Sequence, residues 1–112
     1  MIKKSNISNS DKREKRHEYN YVYIMLCNNN SLYTGYTTDM SRRYQEHING
    51  SIKCKFTRSF KPLKIAQCWK VYGDRNIAMK VEKYIKSLNR KTKEKLIKFP
   101  RMLTDIFKTT DN

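Results

Sequence analysis

The sequence predicts a small α/β domain of the α+β kind: a three-stranded antiparallel sheet flanked by helices, in the order ββαβαα. Three observations predict it. Two short apolar, β-prone runs stand on either side of the triplet Asn28-Asn29-Asn30. A third such run follows Pro62. Two stretches with apolar residues at helical spacing follow the second and third runs, each opened by an aspartate. The chain has 112 residues, which is room for one domain.

Residues 1–20 hold two aliphatic side chains after Met1 and are dense in Ser, Asn and charge. They read as a flexible basic leader, because too little apolar surface is present to offset ordering entropy. Tyr21–Cys27 is the first strand, apolar on both faces as a covered central strand would be. Ser31–Tyr36 is the second, and the Asn triplet suits the turn of a hairpin. Asp39 caps a helix whose stripe is Met40, Tyr44 and Ile48, and Gly50 stops it. Residues 51–62 read as basic and irregular. Leu63–Tyr72 is the third strand. Asp74 caps a second helix with the stripe Ile77, Val81, Tyr84, Ile85 and Leu88. A third helix runs from about Lys91 to Lys98, and Pro100 ends it. The domain thus spans 21–99, and 100–112 reads as a weakly ordered tail.

Lys and Arg number 25 and Asp and Glu 10, a net charge of +15. Such an excess on a small chain implies a polyanionic partner, nucleic acid before any other. No run approaches the ~20 apolar residues of a membrane span. The three cysteines are odd in number and form no C-x-x-C. That disfavours a disulfide scaffold or cysteine zinc site and suits a reducing, cytoplasmic setting.

The candidate functional residues follow from spacing. With an odd hairpin loop, Tyr23 and Tyr33 fall on one sheet face as diagonal neighbours. Either two phenols converge there, or these are ordinary half-buried strand tyrosines. Arg43 and His47, four apart, share a helix face at the edge of the apolar stripe. Either Arg43 serves a phosphate and His47 moves a proton or orients a neighbour, or these are an exposed arginine and a satisfied surface histidine, the reading the pair favours when taken alone. Glu82 lies beside the stripe of the second helix. It can hold a hard divalent cation, or simply pair with Lys86. Lys53, Lys55, Arg58, Lys61 and Lys64 surround Phe56 and Phe60, either a mix of phosphate contacts and stacking faces or a charged loop with its two aromatics tucked onto the core. Lys91, Lys93 and Lys95 form a second basic surface. Trp69, in mid-strand, reads as core.

Taken together, these residues resemble a known family. Tyr21-Val22-Tyr23 followed by Tyr33-Thr34-Gly35 looks like the paired motif that names the GIY-YIG nuclease superfamily. The stretch from Asp39 through Arg43 to His47 is similar to its next motif, and Ala78-x-x-x-Glu82-x-x-Ile85-Lys86-x-Leu88 to its acidic helix. Arg90-Lys91-x-Lys93-x-x-Leu96-Ile97 looks like the small stand-alone, bacterial-type members. The resemblance covers roughly residues 20–98. Tyr21 stands where the family name has Gly, and Thr34 where it has Ile; neither position supplies a reacting group. The late Asn of some members has no clear match, Asn89 being the nearest.

The resemblance implies a metal-dependent DNA endonuclease, structure-selective or weakly sequence-specific, with one Mg²⁺ or Mn²⁺ held by Glu82. In it Tyr23 takes the proton of the attacking water, Tyr33 supports it, Arg43 neutralises the phosphate and His47 bonds Tyr23 or the phosphate. Nicked, flap or branched DNA would be the substrate in repair or processing, with RNA an open option. The rival reading is a nucleic-acid-binding module on the same fold with little turnover.

Overall fold

The structure, a computed structural model, describes residues 19–50 and 55–107. Its sheet consists of β1 (Tyr19–Cys27), β2 (Leu32–Thr37) and β3 (Pro62–Tyr72), all antiparallel, in the order β2-β1-β3. The helices are α1 (Met40–Ile48), α2 (Lys55–Ser59), α3 (Arg75–Ser87), α4 (Arg90–Lys98) and α5 (Arg101–Phe107). The predicted ββαβαα frame is present, with α2 and α5 added to it. The expected leader lies outside the described residues except for Tyr19 and Asn20.

The central place of β1 explains its composition. Over its middle both faces are covered, and Val22, Tyr23, Ile24 and Met25 are all fully buried. β1 begins two residues before the predicted start. β3 is long enough to pair Tyr19 with Tyr72 and Asn20 with Val71, and this ladder extends the strand. The β1–β2 turn closes through Asn30 N–H donating to the Cys27 carbonyl at 2.9 Å. Asn30 takes φ +66 there, a left-handed conformation that asparagine tolerates.

One sheet face carries the apolar core. Val22, Ile24, Trp69 and Val71 pack on Ala78, Val81 and Ile85 of α3, Leu96 of α4 and Leu103 of α5. Each fully buried Val, Ile or Leu side chain here contributes about 1.5–3 kcal/mol. Asp74 caps α3 by accepting from the Asn76 and Ile77 N–H groups, and Asn89 caps α4 by accepting from Thr92 N–H. Asn89 is therefore placed as a helix cap.

Three expectations are corrected. First, residues 101–107 form a helix where a weakly ordered tail was expected. Leu103 is fully buried, Phe107 meets the Tyr84 ring at 5.3 Å, and the Trp69 indole N–H donates to the Pro100 carbonyl at 3.0 Å. These contacts join residues far apart in sequence, so no local pattern announces them. Second, α2 lies within the stretch read as irregular. Its Thr57 is buried, and its Phe56 stacks on Tyr33 with ring centroids 5.5 Å apart. Third, the buried face of α1 is not the Met40-Tyr44-Ile48 stripe. Ile48 is 41% exposed, and His47 is the residue of α1 that is buried. An imidazole with both nitrogens hydrogen-bonded carries little desolvation penalty, so it can replace an aliphatic residue against the sheet. Among the described residues, no helix is long and apolar enough to cross a membrane.

Candidate functional site

The second sheet face builds a polar cleft. Tyr33 pairs with Met25 and Tyr23 with Gly35 across the β1–β2 ladder, so the two tyrosines are diagonal neighbours on one face. Their ring centroids are 6.4 Å apart. Gly35 makes this approach feasible. A Cβ at that position would stand 2.5 Å from Tyr23 Oη and 2.8 Å from Cζ, so the phenol lies directly across the β2 backbone.

Behind Tyr23 runs a buried relay. Tyr23 Oη and His47 Nε2 are 2.8 Å apart, and His47 Nδ1 is 2.8 Å from Thr57 Oγ1. Tyr23, His47 and Thr57 are each 1% exposed or less. Burial pushes the His47 imidazole down to about 4, the Arg43 charge adds to that, and Glu46 opposes it. His47 is therefore neutral at pH 7, donating from one ring nitrogen and accepting at the other.

In front of Tyr23 opens a cleft of about 600 Å³. Tyr23, Tyr33, Arg43 and Glu82 all line it. Four of the five predicted residues thus converge from β1, β2, α1 and α3. The fifth, His47, lies behind the cleft wall, bonded to Tyr23 and edge-on to the Tyr33 ring at 5.2 Å. Glu82 pairs through Oε2 with Lys86 at 3.5 Å, yet its side chain is only 18% exposed while Lys86 is 54% exposed. The helix ion pair and the place in the cleft are therefore both real.

Sequence reasoning passed over several neighbours. Glu46 accepts from Arg43 Nη1 at 2.9 Å and lies 3.6 Å from Arg42 Nε, holding two guanidinium groups at the rim. Its i+3 spacing from Arg43 was a usable signal. Arg75 lines the cleft and donates from Nε to Tyr36 Oη at 3.1 Å. Thr57 had no signal, because its bond to His47 spans a stretch of no clear pattern.

The basic residues fall elsewhere. Lys61, Lys91 and Lys95 are exposed and Lys93 is half-buried, and none of the four lines the cleft. Arg90 anchors the start of α4, bonding the Asn30 carbonyl and pairing with Glu94 at 2.9 Å. Lys53 and the side chains of Lys55 and Arg58 lie outside the described residues.

Comparison with known proteins gives the chain a family and relatives. The family described as GIY-YIG catalytic domain matches residues 19–95. A UPF0213 protein of Listeria welshimeri is 43% identical over 74 residues, covering 66% of this chain and 80% of its own. A UPF0213 protein of Haloquadratum walsbyi is 42% identical over 79 residues, covering 70% and 86% respectively. Among solved structures, the solution NMR structure of the UPF0213 protein BH0048 from Bacillus halodurans is 38% identical, covering 72% of this chain and 84% of that one, with a TM-score of 0.46. The chain belongs to the GIY-YIG family and carries its nuclease-type domain.

Proposed function

We propose that this protein is a divalent-metal-dependent DNA endonuclease that hydrolyses phosphodiester bonds, structure-selective or weakly sequence-specific, acting in the cytoplasm. The observation that carries the reading is the convergence of Tyr23, Tyr33, Arg43 and Glu82 on one cleft, with His47 buried behind Tyr23. Binding alone needs neither a half-buried carboxylate in a basic cleft nor two converging phenols.

The donor set suits a hard cation of the Mg²⁺ or Mn²⁺ type. Glu82 offers carboxylate oxygen at the cleft wall, and Mg²⁺ takes one or two carboxylates while keeping water and substrate phosphate as its other ligands. Of the two carboxylates that line the cleft, Glu46 is engaged by Arg42 and Arg43, so Glu82 is the residue that would hold it. When bound, the ion supplies charge stabilisation at the leaving oxygen.

The chain's own groups supply the rest. Tyr23 Oη enters as the phenolate, its own proton lost to solvent beforehand beside the Arg43 charge, and accepts one proton of the attacking water to become the phenol. His47 has too little basicity to take a proton onward from the phenol. Its role is therefore to donate Nε2–H to the Tyr23 phenolate and hold it in place until the water's proton arrives, while Nδ1 accepts from the Thr57 hydroxyl. Tyr33 holds the water in line. Arg43, with Arg75 across the cleft, neutralises the phosphate oxygens. Glu46 keeps Arg43 aimed. Lys61, Lys91, Lys93 and Lys95 would contact the backbone farther out, as would Lys53, Lys55 and Arg58.

The test is cleavage of labelled single-stranded, duplex, nicked, flap and branched DNA with Mg²⁺, Mn²⁺ or chelator. Metal-dependent products from the wild type, absent in Glu82→Ala and in Tyr23→Phe, are expected. Products from Glu82→Ala at the wild-type rate refute the metal role, and normal cutting by Tyr23→Phe refutes the proton acceptor. Tight binding without cutting on every DNA would replace the nuclease with a binding module, and RNA would then be the ligand to assay.

A further inference from the structure

The sheet face that carries Tyr23 continues beyond the cleft. Side chains two apart on a strand share a face at a spacing of about 7 Å. Tyr21 and Tyr19 therefore extend the Tyr23 row towards the start of β1. Across the β1–β3 ladder Tyr19 pairs with Tyr72 and Tyr21 with Lys70. The rings are in contact: Tyr19 meets Tyr21 edge-on at 5.7 Å and Tyr72 at 6.1 Å. Lys70 Nζ lies 4.2 Å over the Tyr19 ring. Tyr72 is 50% exposed, and Tyr19 and Tyr21 are half-buried.

Beside Tyr19 and Tyr21 opens a second hollow of about 450 Å³. Thr38 and Arg42 line both this hollow and the cleft of Tyr23, so the two are neighbours with a guanidinium on their shared wall. Aromatic faces with the Lys70 cation among them, next to a cleft lined by Arg42, Arg43 and Arg75, suit nucleobase stacking. A base inside a duplex already has both faces covered by its neighbours. Within a continuous strand, an unpaired base is the one that leaves a face free for such a platform.

We propose that Tyr19, Tyr21 and Tyr72, with Lys70, form a stacking platform for an unpaired base of the DNA strand whose phosphate enters the Tyr23 cleft. The substrate accordingly carries single-stranded DNA next to the scissile bond. This inference rests on the nucleic-acid reading of the cleft and adds the class of DNA to it. The positive charge of the chain, +15, complements such a strand.

The experiment is fluorescence anisotropy of the full chain in chelator. The probes are a labelled oligothymidylate, an all-abasic strand of the same length and charge, the matching duplex, and oligouridylate. The wild type is expected to bind oligothymidylate roughly tenfold more tightly than the abasic strand, the order that base stacking on aromatic rings supplies. Tyr72→Ala and Tyr21→Leu are expected to lose that difference, and Tyr72→Phe to keep it. Tyr72 is at the exposed edge, so its variants test the platform even if Tyr21→Leu does not fold. Equal affinity of the wild type for thymidylate and abasic strands overturns the platform while leaving the nucleic-acid reading standing. So does an unchanged preference in Tyr72→Ala. Tighter binding of oligouridylate than oligothymidylate overturns the assignment to DNA. Failure to bind any strand overturns platform and nucleic-acid reading together.

Discussion

His47 makes the stability of this protein depend on pH in a way that can be isolated. Its imidazole is 1% exposed, and burial, helped by Arg43, holds it at about 4 against 6.5 in the unfolded chain. Between those values the unfolded chain binds a proton that the folded chain does not. Stability therefore falls as pH drops through the window from 6.5 to 4. The full difference corresponds to roughly 3 kcal/mol, and about 2 kcal/mol of it is already lost at pH 5. With a urea slope of about 1–1.5 kcal/mol/M for a domain of this size, the midpoint moves by about 1.5 M between pH 7.5 and pH 5. Carboxylates titrate over the lower part of this range, so the wild type is compared with His47→Gln, which removes only the imidazole. The wild-type midpoint is expected to fall more steeply with acid than that of the variant. Parallel curves would refute the claim that His47 is buried neutral behind Tyr23.

Two further substitutions probe the same assembly. Gly35→Ala places a Cβ 2.5 Å from Tyr23 Oη. It should cost about 1–3 kcal/mol in urea unfolding by overpacking and lower cleavage sharply by displacing the phenol. Adding Tyr23→Phe should recover part of the stability, whereas additive losses would show that the clash lies elsewhere. Thr57→Val keeps the shape and deletes the hydroxyl, leaving His47 Nδ1 buried without this partner. A loss of about 1–3 kcal/mol is expected, while Thr57→Ser stays near the wild type; equal stability of the two variants would rule out the relay.

Several structural features were legible in the chain itself, because local pattern encodes them. A run apolar on both faces is the signature of a covered strand, and Val22 to Met25 is fully buried on the central β1. An aspartate ahead of helical periodicity marked the starts of α1 and α3, and Asp39 and Asp74 both cap. An odd hairpin loop placed Tyr23 and Tyr33 on one face, and the register agrees. Spacing and residue chemistry also brought Arg43, His47 and Glu82 into consideration.

Tertiary structure decided what depends on contacts between distant residues. Helices as short as α2 and α5 have too few internal hydrogen bonds to form on propensity. Phe56 on Tyr33 and Thr57 on His47 hold the first, and Leu103 in the core and Pro100 on Trp69 hold the second. The rotation of α1 was set in the same way. Its most apolar stripe was not turned fully inward, because His47 finds partners for both ring nitrogens against the sheet and Ile48 does not compete with them. Residues outside any sequence motif, Glu46, Thr57 and Arg75, joined the site because folding brought them within reach of Arg43, His47 and the cleft. A one-dimensional pattern records which faces are apolar; which polar groups meet across a cleft is settled only when strands and helices pack.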